Sequence, residues 1–373
     1  MHGGDIYSHK IKDDFSINVN PLGLPFRAKI AYLRALKKIR NYPDQQCREL
    51  TGALSKKVGL PWGRLVFGNG ASELIQALLR AEKADRVLLF APSYTGYERA
   101  VKSCGASPLY FYLNEDCGFS FGESDFDRLA ELILQEKPDF LILTNPNNPD
   151  GKLFDAKIVE KLIQNCCKYN VKVLIDQCFI ELADAGGDFA GMADGVFLLR
   201  AFTKSYAIPG LRLGYCICPD TAAAERLKPQ LPEWNVSSVA QEVGLALLKD
   251  ASYLKRVRAL IRRERKYLSE ELKALGFRVY ASDADFILFK DDFGGGALPS
   301  QVGVESGAGD GHSRLPLDAP PPTSLYEKLL EEKILIRDCQ DYKGLGRGWY
   351  RIAVKKHRQN RRLIRAIKKV RGK

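Results

Sequence analysis

The sequence predicts an α/β fold built on a mainly parallel central sheet, with a smaller α+β unit beside it. Short aliphatic runs such as VLLFA and FLILT alternate with longer stretches in which apolar residues recur at helical spacing. Runs that are apolar throughout fit strands covered on both faces, as in parallel sheets, because half-exposed strands alternate apolar and polar residues. The predicted strands of this sheet are residues 64–67, 86–91, 140–144, 171–176 and 196–200.

The second half of the chain has a different pattern. After Pro219 the apolar residues follow a helical period through about Leu275. Short strands are then predicted at 277–280, 285–290 and 350–354. Helices followed by a few short strands are typical of a small α+β domain.

These patterns divide the chain into three parts. We expect an N-terminal arm that shares in the small domain (1–40), a large cofactor-binding domain (41–245) and a small C-terminal α+β domain (246–373). The stretch 291–323 is rich in Gly and Pro and breaks the pattern of the small domain. It is therefore predicted to be a surface insertion.

Composition excludes several classes of protein. With 45% hydrophobic and 27% charged residues among 373, the chain has a globular rather than a disordered composition. It has no run approaching the roughly 18 apolar residues of a membrane helix, and its N-terminus lacks a signal-peptide core. The nine cysteines are scattered without a Cys-x-x-Cys pair. We therefore expect a cytoplasmic protein with no membrane contact, no disulfides and no metal site.

The formal net charge of +12 favours anionic partners. Two stretches, 255–266 and 355–373, are dense enough in Lys and Arg to bind a nucleic acid. In both, apolar residues recur at helical spacing, so we interpret them as core-packed helices with basic faces and do not expect nucleic-acid binding. The apolar residues are Leu254, Val257, Leu260 and Ile261, and Leu363, Ile364, Ile367 and Val370.

Three motifs carry candidate chemistry, and the first is GNGASE at 68–73. It follows the strand RLVF and opens a helical stretch. A glycine turn into a helix presents free backbone N–H groups to a phosphate, and the Ser72 hydroxyl adds a donor. The alternative is that the glycines serve only the steric needs of the turn.

The second motif is NPNNPDG at 145–151, directly after FLILT, together with Asp176 at the end of VKVLID. Ligands of open parallel sheets bind beyond the carboxyl ends of strands, where Asn148 and Asp176 are expected to lie. Asp176 is a candidate charge partner for a ligand. The alternative is a helix cap or a surface carboxylate.

The third motif is RAFTKSYAIPGLRLGY at 200–215, with Lys204 just beyond a buried strand and Arg212 eight residues later. Apolar walls and neighbouring cations lower the pKa of a Lys amine, which allows it to act as a nucleophile and form a Schiff base. The alternative is a lysine that extends to solvent.

Taken in order, the three motifs resemble those of pyridoxal-phosphate enzymes with the aspartate aminotransferase fold (fold type I), over nearly the whole chain. The resemblance implies pyridoxal 5'-phosphate as cofactor, with Lys204 bound to it as a Schiff base and Asp176 paired with its ring nitrogen. It also implies that Asn148 hydrogen-bonds the phenolate oxygen and that Tyr94 stacks on the ring. The residues implied to hold the cofactor phosphate are Gly70, Ala71, Ser72, Thr203 and Arg212.

A further segment bears on assembly. Asn41-Tyr42-Pro43-Asp44 resembles the segment of this family in which a Tyr reaches the phosphate of the neighbouring subunit. The resemblance therefore implies a homodimer with shared active sites, in which Tyr42 serves the partner.

The N-terminus distinguishes two branches of the family. HGGDIY at 2–7 and DFSINVNPLG at 14–23 resemble threonine-phosphate decarboxylases, which make aminopropanol phosphate for the nucleotide loop of cobalamin. The resemblance implies decarboxylation of O-phospho-L-threonine or O-phosphoserine. The alternative is an aminotransferase acting on histidinol phosphate or an aromatic amino acid, since those enzymes share most of the motifs. The residues implied to line the substrate pocket are His2, Gly3, Asn18, Asn148, Arg337 and Arg351.

The chain departs from the family pattern at several positions. Gln177 and Cys178 stand where the family has Glu and Ala after the strand-end Asp, and Phe179 stands where a Tyr is also common. Ala201 replaces a common phosphate-binding Ser, and Asp150 replaces the Thr of NNPTG. These departures bear on cofactor affinity and substrate identity more than on the fold. Two arginines suit a substrate that carries both a carboxylate and a phosphate, so a small phosphorylated amino acid is the expected partner.

Overall fold

This computed structural model describes residues 3–184, 195–292 and 323–372. In chain order, the strands are β1 Asp13–Asp14, β2 Leu65–Gly68, β3 Arg86–Ala91, β4 Ser107–Tyr112, β5 Phe140–Thr144, β6 Lys172–Asp176, β7 Val196–Ala201, β8 Gly214–Ile217, β9 Arg278–Val279, β10 Phe286–Lys290, β11 Ile334–Leu335, β12 Arg337–Asp338 and β13 Trp349–Ala353. The α-helices are α1 Phe26–Ala35, α2 Arg48–Val58, α3 Ala71–Ala81, α4 Gly96–Ser103, α5 Phe126–Glu136, α6 Ala156–Lys168, α7 Phe202–Ser205, α8 Thr221–Leu227, α9 Ser238–Leu248, α10 Ala251–Ala274, α11 Leu325–Glu331 and α12 His357–Val370.

Seven strands form the central sheet in the order β2-β8-β7-β6-β5-β3-β4. β8 runs antiparallel to β2 and β7, while the other neighbouring strands are parallel. The mainly parallel α/β sheet predicted from the sequence is therefore confirmed. The predicted strands 86–91 and 140–144 have the expected bounds, and the other three differ by one residue at one or both ends.

β4 was not predicted from the sequence. It lies at the edge of the sheet, and of its residues only Phe111 is buried. Its sequence, SPLYFY, contains a short apolar and aromatic run, so this strand was overlooked although the sequence carries a strand signal.

Apolar residues cover both faces of the central sheet. Along β5, Leu141 packs in one apolar cluster, while the neighbouring Phe140 and Ile142 pack in another. β6 repeats this alternation, with Val173 in the first cluster and Leu174 in the second. Because successive side chains of a strand point to opposite faces, the two clusters lie on opposite sides of the sheet.

A second sheet forms in the C-terminal part, in the order β12-β13-β10-β9. Its apolar face packs with α10, α11 and α12 in a third cluster, which also contains Phe15 of the N-terminal arm. The arm is further held because β1 pairs in parallel with β11 and Asp13 pairs with Arg362. The domain bounds at residues 40 and 245 stay predictions, and 293–322 of the expected insertion lie outside the described residues.

The two basic stretches form parts of α10 and α12, and both helices pack by their apolar faces. Most of their predicted apolar residues are buried, while Leu260 and Val370 are partly buried. The prediction of core-packed helices is confirmed. None of the helices within the described ranges has the length and apolar content that crossing a membrane requires.

The sheet brings the carboxyl ends of β5, β6 and β7 together. Thr144, the last residue of β5, lies opposite Asp176, the last residue of β6. β7 ends at Ala201 and α7 begins at the next residue, which places Lys204 just beyond the same edge. The strand order thus places the second and third motifs side by side at the carboxyl edge of the sheet.

The antiparallel strand β8 contacts the start of α3. A Cβ added at Gly214 would lie 2.9 Å from the Ala71 backbone nitrogen and 3.1 Å from the Arg200 carbonyl oxygen. We expect Gly214→Ala to lower the free energy of unfolding by about 1–3 kcal/mol, because backbone must shift to relieve these contacts. Chemical denaturation measures this change. The matched control is Gly210→Ala, where an added Cβ meets nothing within 4 Å, and equal losses in both variants would contradict the account.

Candidate active site

A cavity of about 260 Å³ lies where the ends of the central strands face the second sheet. The central sheet contributes Thr144, Asp176 and Ala201, and the second sheet contributes Arg337 and Arg351. Residues from both sheets, the N-terminal arm and the helices α3, α4 and α7 therefore line one cavity.

Most of the predicted site residues line this cavity. They are Gly3, Asn18, Ala71, Ser72, Tyr94, Asn148, Asp176, Thr203, Lys204, Arg212, Arg337 and Arg351. Gly70 lies beside the cavity, against the guanidinium of Arg212. Tyr42 does not line it: this side chain is 78% exposed and stacks on Trp234. His2 lies outside the described residues.

Asp176 is buried at the end of β6 and held by two hydrogen bonds. The Tyr97 hydroxyl donates to Oδ2 at 2.7 Å, and the Cys178 backbone N–H donates to Oδ1 at 2.9 Å. Thr144 Oγ1 in turn donates to the Tyr97 hydroxyl at 2.9 Å. Burial raises the pKa of Asp176, while hydrogen bonds from the Cys178 thiol, the Tyr97 hydroxyl and the Cys178 backbone, together with the charge of Lys204, lower it. The carboxylate therefore has a fixed orientation and suits a cationic N–H donor in the cavity.

Lys204 lies in α7, with its Nζ 5.9 Å from the centre of the Phe179 ring. Burial lowers the pKa of this amine, and the charges of Arg351 and Arg212 lower it further, against the opposing charges of Cys178 and Asp285. A lowered pKa increases the neutral, nucleophilic fraction of the amine. This is the property that a Schiff base requires.

The start of α3 and Arg212 form a candidate phosphate site. The first backbone N–H groups of a helix lack partners within the helix, and Ala71 and Ser72 occupy that position here. Gly70 precedes them with φ +83°, and a Cβ there would lie 2.6 Å from Arg212 Nη2. Only glycine lets the guanidinium approach the helix start this closely. Backbone donors, a hydroxyl and a guanidinium in one place fit the phosphate of pyridoxal phosphate.

The second sheet places two buried arginines side by side. Arg337 and Arg351 are opposite partners in the antiparallel pairing of β12 with β13. Arg351 donates to the Ser16 carbonyl at 2.8 Å, to the Tyr342 hydroxyl at 3.2 Å and to Asn148 Oδ1. Residues directly opposite in a sheet project to the same face, which explains why both guanidinium groups reach the cavity.

Several residues of the site were missed by the sequence prediction. Tyr97 follows Tyr94 by three residues in APSYTGY, and nothing in that spacing indicates a contact with Asp176. Tyr342 reaches Asn148 from the loop between β12 and β13. Asp285 is buried beside the site, and neither of its carboxylate oxygens has a hydrogen-bond partner among the described residues. Burial raises the pKa of Asp285 to about 6, although the charges of Lys204, Lys355 and Arg351 oppose this.

The residues that depart from the family motifs fall into two groups, those that make local polar contacts and those that line the cavity. Asp150 is buried and accepts hydrogen bonds from Asn147 Nδ2 and the Lys152 backbone N–H, and burial raises its pKa to about 7. Gln177 accepts from Arg200 Nε at 3.0 Å. Phe179 and Ala201 line the cavity. Asp150 and Gln177 thus make local polar contacts, while Phe179 and Ala201 leave apolar surface in the cavity.

Comparison with known proteins gives consistent matches over nearly the whole chain. The family model of aminotransferases of class I and II matches residues 10–367. The chain is 30% identical to the threonine-phosphate decarboxylase of Salmonella typhimurium, covering 96% of this chain and 90% of that protein. It is 32% identical to the histidinol-phosphate aminotransferase of Methanosarcina mazei, covering 94% of this chain and 86% of that protein.

A solved structure supports the same relationship. The histidinol-phosphate aminotransferase of Clostridium acetobutylicum matches with a TM-score of 0.83 and 30% identity, over 97% of this chain and 99% of that one. The aspartate-aminotransferase-like fold expected from the sequence is therefore confirmed. The cofactor of the family is pyridoxal 5'-phosphate, for which the Lys204, Asp176 and Arg212 surroundings are suited. The chain belongs to the class I and II aminotransferase family of pyridoxal-phosphate enzymes.

Proposed function

We propose that the protein decarboxylates O-phospho-L-threonine, or its near relative O-phosphoserine, to an amino-alcohol phosphate for the nucleotide loop of cobalamin. The observation that carries this proposal is the pair of buried guanidinium groups, Arg337 and Arg351, in the cavity that also holds Lys204. Two positive groups suit a substrate that carries two anions. The similarity to the threonine-phosphate decarboxylase of Salmonella typhimurium supports the same substrate class.

The two anions of such a substrate are assigned by charge. Within the described residues, the hydrogen-bond partners of Arg351 are neutral, and its buried Nε has none. Its charge is therefore available to the substrate carboxylate, with Asn148 beside it. The phosphate then falls to Arg337, with Gly3, Asn18 and His2 proposed as further contacts.

The cofactor residues follow from the same cavity. Ala71, Ser72 and Arg212, with Gly70 and Thr203, are proposed to hold the cofactor phosphate, and Tyr94 and Asn148 to hold the ring. When bound, pyridoxal phosphate supplies the electron sink for the pair released at the substrate Cα. Asp176 would keep a proton on the ring nitrogen, which that function requires.

Orientation then selects the bond that breaks. Arg351 and Arg337 would fix the substrate so that its carboxylate bond stands perpendicular to the cofactor ring, and positioning of this kind accounts for about 7–11 kcal/mol in favourable systems. Lys204 would donate a proton to Cα. The same residues would serve transamination if the Cα–H bond were held perpendicular instead.

An aminotransferase acting on histidinol phosphate or an aromatic amino acid is the second candidate. The specific support is the 32% identity to the histidinol-phosphate aminotransferase of Methanosarcina mazei. This activity would use the same Lys204 and Asp176 and would convert the cofactor to its amine form with glutamate.

We also propose a homodimer with shared sites. α1 packs on α9 and buries Ala28 and Ala35, yet it exposes Phe26 and Leu33 to solvent. Exposed apolar residues continue beyond the helix at Leu36, Ile39 and Tyr42. A concentration of exposed large apolar residues within one segment is typical of a protein interface. Tyr42 would then serve the cofactor phosphate of the partner subunit.

A cytoplasmic location is part of the proposal. All nine cysteines lie in the described residues as free thiols. Thiols are maintained in this form in reducing compartments.

The first prediction concerns the reaction. The purified protein, loaded with pyridoxal phosphate and given O-phospho-L-threonine, is expected to release carbon dioxide and aminopropanol phosphate, and Lys204→Ala should abolish both the release and the absorption band of the bound cofactor. Carbon dioxide capture and mass spectrometry measure the products. A bound cofactor without these products, together with a spectral change on addition of glutamate, would favour the aminotransferase instead.

The second prediction concerns Tyr97. Tyr97→Phe removes a hydrogen bond to the Asp176 carboxylate, so we expect kcat/KM to fall by about 10- to 100-fold, as for the loss of roughly 1.5–3 kcal/mol. Since Tyr97 lowers the pKa of Asp176, its loss should also move the acid limb of the pH–rate profile to higher pH. Tyr112→Phe, on the edge strand, is the control. An acid limb shared by Tyr97→Phe and wild type would show that Tyr97 does not act on Asp176.

The third prediction concerns assembly. The double substitution Leu33→Asp with Ile39→Asp should weaken self-association by about ten-fold or more, because charges would replace apolar contacts. Sedimentation velocity measures this change, and cofactor affinity is expected to fall with it, as Tyr42 would no longer reach the partner. The control is Leu134→Asp, which changes an exposed leucine on α5. A wild-type chain that stays monomeric at micromolar concentration would rule out the dimer.

A further inference from the structure

Arg337 differs from Arg351 because its guanidinium already holds a carboxylate. Arg337 Nη2 donates to Asp341 Oδ1 at 2.7 Å and to Oδ2 at 2.8 Å, and Nη1 donates to the Asp338 carbonyl. The Arg337 side chain is buried, while that of Asp341 is one-third exposed. The loop between β12 and β13 thus supplies an anion to one of the two arginines of the cavity.

The Asp341 carboxylate occupies the type of position that a substrate anion requires. A guanidinium binds carboxylates and phosphates through the same planar N–H groups. A second anion approaching Arg337 must therefore displace Asp341 or accept repulsion from it. An anion that approaches Arg351 meets no competing carboxylate among its hydrogen-bond partners. In the described part of the chain, these partners are the neutral groups of Ser16, Asn148 and Tyr342.

We propose that Asp341 is a specificity-determining residue that competes with ligands for Arg337 and so sets a threshold for binding at this subsite. A ligand gains affinity there only if its anion binds the guanidinium better than the internal carboxylate does. A phosphoryl group, with a charge of about −1.5 to −2 near neutral pH and three acceptor oxygens, meets this condition. A second carboxylate, such as that of glutamate, would replace the Asp341 carboxylate by a group of the same kind and would therefore add little binding affinity.

This inference rests on the proposed function in one respect, the assignment of the phosphate to Arg337. Under that assignment, Asp341 favours phosphorylated amino acids over dicarboxylates. It also disfavours glutamate, the amino donor that an aminotransferase would use. The carboxyl group thus acts on substrate choice through Arg337 and has no contact with the reacting atoms.

The test measures binding to the cofactor-loaded protein by the absorption change of the bound cofactor. Three non-reactive probes are compared: propionate with one carboxylate, succinate with two, and 3-phosphonopropionate, in which a phosphonate replaces one carboxylate of succinate. Asp341→Asn keeps the size of the side chain and removes its charge. We expect it to tighten succinate and 3-phosphonopropionate by about ten-fold or more and to leave propionate, which needs only Arg351, unchanged.

Two further variants complete the design. Asp338→Asn is the matched control, since its carboxylate accepts from the Gln340 backbone N–H rather than from a guanidinium, and it should not change the order of the probes. Asp341→Ala should tighten the same two probes as Asp341→Asn. Weaker or unchanged binding of both probes with two anionic groups in the Asp341 variants would overturn the proposal, because it would show that Asp341 merely positions Arg337.

The outcomes separate this inference from the proposed reaction. None of the probes has an amine or undergoes decarboxylation, so binding is measured whether or not phosphothreonine is a substrate. Tighter binding of the probes with two anionic groups, without phosphothreonine decarboxylation, would support the competition at Arg337 and rule out the proposed reaction. Decarboxylation of phosphothreonine without tighter binding of these probes would support the proposed reaction and rule out the competition at Arg337.

Discussion

The site depends on a carboxylate that is buried where a parallel strand ends. Burial alone would favour the protonated form of Asp176, so the fold must supply donors and a cation around it. Tyr97 from α4, the Cys178 backbone and Lys204 from α7 meet this need, and Thr144 of β5 holds Tyr97 in turn. Because β5, β6 and β7 are neighbours in the sheet, the polar residues at or just beyond their ends lie next to one another in the cavity.

Much of the central sheet could be predicted because its strands are covered on both faces. An uninterrupted apolar run such as FLILT is enough to predict a strand that is covered on both faces. Glycine turns and polar residues at strand ends then indicate, from local sequence, where the cavity lies. β4, an edge strand whose residues are mostly exposed or partly buried, was overlooked although its sequence, SPLYFY, contains an apolar and aromatic run. The positions of Asn148 and Asp176 at one cavity follow from the rule that ligands lie beyond carboxyl strand ends, while those of Lys204 and Arg212 were implied by the family resemblance.

Other parts of the site depend on contacts that local sequence does not encode. The opposition of Arg337 and Arg351 arises from strand pairing in the second sheet, and the bond between Arg351 and Ser16 joins residues far apart in the chain. The contact of Asp341 with Arg337 depends on the path of a loop. Tyr42 does not line the cavity and is largely exposed, and local sequence does not show what this side chain contacts.

The pairing of β12 with β13 has a consequence for substrate length. Because the two arginines stand directly opposite each other, the backbone ladder fixes the spacing of their Cβ atoms at about 4.5–5.5 Å. A shift of one residue in the pairing would turn one guanidinium to the other face of the sheet. Under the proposed function, the main chain therefore limits how far apart the two charged ends of a ligand can lie. A homologue that accepts a longer molecule would have to move an arginine to a different rung or recruit one from outside this sheet.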